Sequence, residues 1–212
     1  LVEELRHFLR IAHFAYEREE SALRMELECE GVELLRSKLV PDPSTMRPSY
    51  FLGQEEEKKQ LVVSVRGMWS LAEVIATIIV SPHRWKGGFV HRGMFAMAEG
   101  LVEEIGEELE EMVSRMGKEW EVVVVGHSLG GGVASLVAAI LRERSGLRGK
   151  VRSIGYAAPA CVSADIAATM QPYTTSIVHG DDFVPRIHLE GLETLRAQLV
   201  GEPWVTSLWK SI

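Results

Sequence analysis

The sequence predicts an α/β fold in which helices cover both faces of a mostly parallel β-sheet. Along its second half, short β-branched segments alternate with longer stretches of helical periodicity. The segment "VVVV" at 122–125 is apolar at every position, as expected of a strand that is buried on both faces. Strands of this kind separated by helices are typical of parallel sheets with helices on both sides.

Length and charge limit the organisation and the partners. A chain of 212 residues of which 46% are hydrophobic can bury one sizeable core. We therefore predict a single domain over 1–212, with 1–48 as an N-terminal helical lead-in. The net charge of -7 argues against a nucleic-acid surface, because phosphate binding needs clustered Lys and Arg, which the sequence lacks. It does not disfavour a neutral lipid or ester substrate.

The two cysteines and the apolar segments give an expectation about the compartment. Cys29 and Cys161 lie far apart without metal-ligand spacing, which fits a reducing compartment and a cytoplasmic or membrane-associated location. The longest apolar run, over 70–80, is too short to cross a bilayer and contains Glu73. Because the chain opens on Leu1 without a signal-peptide pattern, we expect a piece of a longer protein.

The first half of the chain reads as a helix followed by a hairpin. The segment "LVEELRHFLRIAHFAYEREESALRMELE" predicts an amphipathic helix with a buried face at Leu5, Phe8, Leu9, Ala12 and Tyr16. After the loop "VPDPSTMRP", the segments "SYFLGQ" and "QLVVSVRG" flank the charged turn "EEEKK" and predict a hairpin. Arg66 and Gly67 end its second, buried strand.

The second half alternates helices and strands. A long surface helix is predicted over "GMFAMAEGLVEEIGEELEEMVSRMGKEW", with a core-facing stripe at Leu101, Ile105, Leu109, Met112 and Met116. It is followed by the strand "WEVVVVG", the helix "GGVASLVAAILRER" and the strands "KVRSIGYAAP" and "TTSIVHGDDFVP". These elements complete the predicted sheet.

A serine stands where the strand "VVVVG" becomes a helix, within the sequence "GHSLG". A Gly-x-Ser-x-Gly turn in this context bends so sharply that the serine is held out above the sheet. Gly126 and Gly130 are needed because side chains there would collide with neighbouring elements. The helix that follows directs its free N–H groups to the point where an oxyanion forms, and the N–H of Leu129 is the natural first donor. We predict that Ser128 is a nucleophile.

A nucleophilic serine requires a base and an acid that orients the base. The segment "IVHGDDFVPR" supplies the acid at the carboxyl end of a later strand, where catalytic groups gather in open α/β sheets. Asp182 is the candidate, with Asp181 as an alternative, and both aspartates could instead cap the loop. We interpret His127 as a packing residue, because it is adjacent to Ser128 and points away from it.

Four segments together resemble the class 3 lipases of the α/β-hydrolase fold. They are "VVSVRGMWS", "FVHRGM", "GHSLGGGVASLVA" and "DDFVPR", and the resemblance extends over about 49–199. The tail "DDFVPRIHLEGLETLRAQL" is most similar to the sn-1-specific diacylglycerol lipase branch, in which an Asp-x-Val-Pro-Arg stretch runs into a Leu-Glu-x-Leu-Arg helix.

The resemblance implies further parts of a site. It makes the backbone N–H of Met68 the second oxyanion donor, although methionine lacks the hydroxyl that many family members have there. The helix predicted over 70–80 could underlie a lid or belong to the core. The resemblance also implies hydrolysis of glycerolipid esters through an acyl-enzyme, without metal or organic cofactor, and is compatible with a peripheral membrane or lipid-droplet surface.

None of the four segments that resemble the family contains the histidine that would act as the catalytic base. His188 is the only histidine after Asp182, but the family's catalytic histidine follows a further strand. His91 matches a structural histidine of the family, and His179 is interpreted as strand packing. No motif surrounds the remaining histidines, His7, His13 and His83.

Three explanations of the missing base stay open. The base could lie beyond residue 212 or in a segment absent from this chain, His188 could be recruited, or the protein could be a silent lipase-like scaffold. An esterase or acyltransferase acting on a soluble ester is a further alternative.

Overall fold

The computed structural model describes residues 1–40, 47–67 and 82–186. The helices in these ranges are α1 (Val2–Phe14), α2 (Glu20–Cys29), α3 (Arg92–Met116), α4 (Leu129–Leu141) and α5 (Ala164–Met170). The strands are β1 (Glu33–Lys38), β2 (Tyr50–Glu55), β3 (Gln60–Val65), β4 (Pro82–Trp85), β5 (Gly88–His91), β6 (Glu121–His127), β7 (Val151–Tyr156) and β8 (Thr174–Ile177). A short 3-10 turn spans Val184–Arg186.

Six of the described strands form one sheet in the order β1-β2-β3-β6-β7-β8. The pairs β1–β2 and β2–β3 are antiparallel, and the predicted hairpin is therefore confirmed. The pairs β3–β6, β6–β7 and β7–β8 are parallel. The strands β4 and β5 pair with each other in a separate small sheet. The carboxyl ends of β3, β6, β7 and β8 consequently meet at one edge of the main sheet.

The sheet is buried on both faces, as the sequence predicts. Along β6, Val122 and Val124 belong to the core that contains α3 and α4, whereas Val123 and Val125 belong to the core that contains α1 and α2. Successive residues of a strand point to opposite faces, so this division places the two helical layers on opposite sides of the sheet. The architecture of a mostly parallel sheet between helices is confirmed.

The long helix α3 packs as its sequence predicts. Leu101, Ile105 and Leu109 are fully buried, and Met112 and Met116 pack against the same core while partly exposed. The Met stripe is thus part of the core. No helix within the described ranges is both long enough and apolar enough to span a membrane.

The N-terminal segment differs from the predicted helical lead-in over 1–48. It is helical only as far as Cys29, because 33–38 form the edge strand β1 of the main sheet. The chain also leaves the helical path between α1 and α2. A strand that pairs only on one side obtains its hydrogen bonds from β2, a long-range partner that the local sequence pattern does not reveal.

The buried face of α1 is also shifted from the predicted one. Phe8 and Ala12 are buried as expected and Leu5 is partly buried, but Leu9 is 45% exposed and Ile11 takes its place in the core. Residues three and four apart share a helix face, and Phe8, Ile11 and Ala12 satisfy that spacing. Leu9 lies to the side of this stripe.

A buried polar cluster ties α1 to the sheet. The His7 ring places Nδ1 3.0 Å from Glu30 Oε2 and Nε2 3.2 Å from Glu55 Oε2. Glu55 lies on β2 and is also paired with Lys58 at 2.5 Å. The pKa of the Glu55 carboxyl lies below its ordinary value, because the hydrogen bonds from His7 and Lys58 together outweigh the burial that would raise it. A histidine for which no motif was found therefore has a structural role.

Candidate active site

Ser128 occupies a strained turn at the carboxyl edge of the sheet. It stands between the last residue of β6 and the first residue of α4. Its backbone has φ 55° and ψ -129°, a conformation that residues with a side chain rarely adopt. The Ser128 N–H donates to the carbonyl of Tyr156 at 2.8 Å, and its carbonyl accepts from Gly131 N at 2.9 Å. Neighbouring backbone thus holds the serine in this conformation.

Two glycines allow α4 to approach the sheet closely. A Cβ at Gly126 would overlap the Gly130 carbonyl and lie 2.7 Å from Gly131 N. A Cβ at Gly130 would overlap the Val65 carbonyl and lie 2.9 Å from Gly67 N. All of these are backbone atoms, which cannot rotate out of the way. The structure therefore shows the steric reason predicted for glycine at both positions.

The surroundings of Ser128 suit an oxyanion. As the first residue of α4, Leu129 has an N–H without a partner inside the helix, and no described residue accepts a hydrogen bond from it. Gly67 lies on the other side, where a Cβ would be 3.5 Å from Ser128 Cβ. The end of β3 is therefore adjacent to the serine. Met68, the second predicted donor, lies outside the described residues, as does the helix predicted over 70–80.

Asp182 is held in a compact loop after β8. Its carboxylate accepts from Val184 N at 3.0 Å, and its own N–H donates to the His179 carbonyl at 3.1 Å. The Arg186 guanidinium donates to the Asp182 carbonyl and, at 3.1 Å, to the Gly180 carbonyl. The Asp-x-Val-Pro-Arg sequence thus folds back on itself and fixes the aspartate. Asp182 is partly buried, whereas the alternative acid Asp181 is exposed.

A cavity of about 630 Å³ opens beside Asp182. Its lining combines apolar side chains such as Leu5 and Leu9 of α1 with the polar side chains Arg6, His127, His179 and Asp182. Leu9 is therefore exposed because it faces this cavity. Ser128 is not among the described residues that line this cavity.

The interpretation of His179 as strand packing is wrong. It follows the end of β8, is exposed and lines the cavity beside Asp182. The strand ends at Ile177, where pairing with β7 stops, so the side chain of His179 has no strand neighbour to pack against.

His127 is more than a packing residue. Its Nδ1 lies 3.1 Å from the Tyr16 hydroxyl, and its exposed ring lines the cavity near Asp182. Partial burial of the imidazole lowers its pKa, while the negative charge of Asp182 opposes that effect. Sequence reasoning missed Tyr16 in this site, because the helical periodicity placed it only among core-facing residues.

No described histidine makes a hydrogen bond to Ser128. His91 is buried and caps α3, where its Nδ1 accepts from Met94 N at 3.2 Å, in agreement with a structural role. His83 stacks on Phe95 at a ring-centroid distance of 5.5 Å. His13 lies beside Tyr16, and His188 lies outside the described residues. The described part of the chain thus contains the predicted nucleophile and a candidate acid, without a histidine that bonds to both.

Comparison with known proteins identifies a matching family and related lipases. The family model for lipase (class 3) matches residues 62–191. Diacylglycerol lipase-alpha of Rattus norvegicus is 29% identical over 167 residues, which cover 71% of this chain and 15% of that protein. Secreted mono- and diacylglycerol lipase A of Penicillium cyclopium is 28% identical over 162 residues, which cover 74% of this chain and 52% of that protein. The chain therefore spans only part of the length of these relatives.

A solved structure supports the same fold. The lipase from Rhizopus microsporus var. chinensis has a TM-score of 0.75 at 19% identity, with coverage of 90% of this chain and 70% of that one. Similarity at this level of identity shows a shared fold, which is the α/β-hydrolase fold of the fungal lipases.

Proposed function

This chain belongs to the class 3 lipase family, and we propose that it is the catalytic part of a serine hydrolase that cleaves acyl ester bonds of glycerolipids. One observation carries the proposal. Ser128 is held at a strained φ of 55° between a buried parallel strand and the amino end of α4. Strain of this kind is characteristic of functional sites, and the helix end supplies the electrostatic environment that ester hydrolysis requires.

In the proposed reaction, the Ser128 hydroxyl attacks the ester carbonyl and gives its proton to a histidine. The N–H groups of Leu129 and Met68 stabilise the oxyanion, and the histidine returns the proton to the leaving alcohol. Water then hydrolyses the acyl-enzyme in the same way. Asp182 orients the histidine. That base is carried after Asp182, either as His188 or as a histidine beyond residue 212.

The proposed substrate class rests on relatives and on the nature of the site. The matched relatives are named for hydrolysis of diacylglycerol and monoacylglycerol. Leu5 and Leu9 line the cavity beside Asp182, and apolar surface of this kind suits a lipid better than a charged metabolite. We extend the proposal to peripheral association with a membrane or lipid-droplet surface, because such substrates reside there.

A second candidate is a lipase-like scaffold without activity that retains the elbow, which is the turn from Gly126 to Gly130 that carries Ser128. It is favoured by one observation, namely that no described histidine makes a hydrogen bond to the Ser128 side chain. A fluorophosphonate probe separates the two candidates, because it labels only an activated serine. The full protein should be labelled and Ser128→Ala should not. Ser135→Ala is the matched control, since this buried serine lies on the same helix and its hydroxyl donates to the Gly131 carbonyl at 3.0 Å. Unlabelled full protein, or equal labelling of the wild type and Ser128→Ala, would support the scaffold.

The proposal that Asp182 is the acid of the triad is tested by replacing each of the two neighbouring aspartates. Asp182→Asn should lower turnover by roughly 10⁴-fold, as expected when a triad acid no longer orients its base. Asp181→Asn should leave turnover near the wild-type value, because this side chain is exposed. If the two effects are reversed, Asp181 is the acid.

Substrate class is tested by comparing an emulsified diacylglycerol with a soluble aryl ester. The proposal expects faster hydrolysis of the diacylglycerol and a rise in rate once the lipid forms an interface. Rapid turnover of the aryl ester together with an untouched diacylglycerol would favour an esterase. Sedimentation with neutral lipid vesicles tests the surface association independently of turnover.

A further inference from the structure

The N-terminal segment contributes a tyrosine hydroxyl to the centre of the candidate site. Tyr16 follows α1, and its N–H donates to the His13 carbonyl at 3.0 Å. Its hydroxyl lies 3.1 Å from His127 Nδ1. The Gly67 backbone lies against the same hydroxyl, because a Cβ there would overlap it, and the Gly67 N–H is placed to donate to that oxygen. One side chain from the start of the chain thus contacts two distant segments of the sheet.

The hydrogen-bond roles at this hydroxyl follow from the groups around it. A backbone N–H can only donate, so the hydroxyl accepts from Gly67 through one lone pair. We assign its proton to His127 Nδ1, with the ring in the tautomer that is protonated at Nε2. The latter bond requires a neutral imidazole that is unprotonated at Nδ1. Partial burial lowers the pKa of His127 against the opposing charge of Asp182, which favours the neutral ring. Burial raises the pKa of Tyr16, so the phenol keeps its proton.

This contact lies directly beside the nucleophile. His127 precedes Ser128, and Gly67 is the last described residue after β3. A Cβ at Gly67 would overlap the Tyr16 hydroxyl, and it would lie 2.6 Å from the His127 carbonyl and 3.5 Å from Ser128 Cβ. Gly67, His127 and the serine side chain are therefore immediate neighbours.

We propose that Tyr16 is a positioning residue, whose hydroxyl ties Gly67 to His127 and thereby fixes the geometry around Ser128. This inference rests on the proposed hydrolase function and deepens it. Without the hydroxyl, the Gly67 N–H and His127 Nδ1 lose their shared partner, and the two backbone segments separate by a fraction of an ångström. Small misplacements of reacting groups have large kinetic effects. The hydroxyl itself takes no part in bond making or breaking.

The first test is Tyr16→Phe, which removes one oxygen and keeps the ring. We expect kcat to fall by roughly 10-fold, because the reacting groups are less well aligned, with KM unchanged within about twofold, because the ring still fills its place. The rate of fluorophosphonate labelling should fall by the same factor. Tyr173→Phe is the matched control. Its ring packs on Arg142 at 4.3 Å, and no described residue bonds to its hydroxyl.

Variants of His127 separate positioning from a general structural role. The side-chain oxygen of asparagine can accept the phenol proton in place of Nδ1, so His127→Asn should retain more turnover than His127→Leu. His127→Leu cannot accept it and should resemble Tyr16→Phe. Combining Tyr16→Phe with His127→Leu should cause little further loss, because both changes remove the same interaction. Full additivity of the two losses would contradict the inference.

A spectroscopic measurement makes the test independent of activity. The ¹⁵N shifts of the His127 ring in the full protein report whether Nδ1 accepts a hydrogen bond. Tyr16→Phe should shift the Nδ1 signal, and Tyr173→Phe should not. If the wild type is inactive and unlabelled but this shift occurs, the proposed function fails while the Tyr16 contact stands. If the wild type is active and Tyr16→Phe changes neither kcat nor the Nδ1 signal, the inference is overturned.

Discussion

Replacing Gly130 with alanine tests the packing that forms the elbow. The new Cβ would overlap the Val65 carbonyl and lie 2.9 Å from both the Arg66 carbonyl carbon and Gly67 N. All three groups belong to the backbone at the end of β3, a strand that is buried at every position. None of them can rotate away, so α4 must move off the sheet and carry Leu129 with it.

The cost of Gly130→Ala can be derived from this contact. Overpacking a well-packed core costs typically 1–3 kcal/mol, and a collision with rigid backbone belongs at the upper end, at about 3 kcal/mol. For a chain of this length, 1 kcal/mol lowers Tm by roughly 2–4 °C, so Tm should fall by about 6–12 °C. The rate of fluorophosphonate labelling of Ser128 should also decline, because the Leu129 N–H no longer faces the oxyanion position. This rate is measured below the Tm of both the wild type and the variant.

Thermal unfolding followed by circular dichroism measures the first effect, with Gly106→Ala as a control. Gly106 lies inside α3, where a Cβ would be 3.1 Å from the Val102 side chain and in ordinary contact, at 3.5 and 3.6 Å, with those of Arg144 and Leu141. Alanine gains about 0.5–1 kcal/mol over glycine in a helix, which offsets that contact, so Tm should change little. The reasoning is refuted if Gly130→Ala keeps both the Tm and the labelling rate of the wild type.

Two further predictions concern pH. The pKa of the Glu55 carboxyl lies below its ordinary value of 4.5, so this group is protonated in the unfolded chain first as the pH falls. The free energy of unfolding should therefore decrease as the pH falls below about 4.5. Urea unfolding midpoints should decrease less steeply with falling pH in Glu55→Gln than in the wild type. Burial raises the pKa of Tyr156 from 10.0 to about 12, so the unfolded chain loses this proton first and stability falls as the pH rises between these values. Tyr156→Phe should reduce that alkaline loss, and equal loss in both proteins would refute the assignment.

The elements around Ser128 could be predicted from the sequence because their signals are local. An apolar strand, a glycine-framed serine and an alanine-rich helix follow one another between 121 and 141, and β6 and α4 lie there in the structure. Asp182 was found in the same way, by its place after a strand. Their catalytic roles stay predictions, since the base that would connect them is not among the described residues.

The features that the sequence did not predict depend on contacts between distant parts of the chain. The edge strand β1 is a strand only because β2 is available to pair with it, and Leu9 is exposed because it faces a cavity built by other elements. His7 is buried by virtue of carboxylates on two other segments. A periodicity of hydrophobic residues within one segment contains no information about such partners.

The N-terminal segment shows most clearly how these contacts affect the candidate site. The family match begins at 62, so α1 and Tyr16 precede the part of the chain that identifies the family. Nevertheless, α1 covers β6 on one face of the sheet and lines the cavity beside Asp182, and Tyr16 lies against His127. Within the family match, the elbow sequence sets the local geometry of Ser128. The placement of the elbow relative to the end of β3 depends on a hydroxyl from outside that match, and so the site is a product of both parts of the chain.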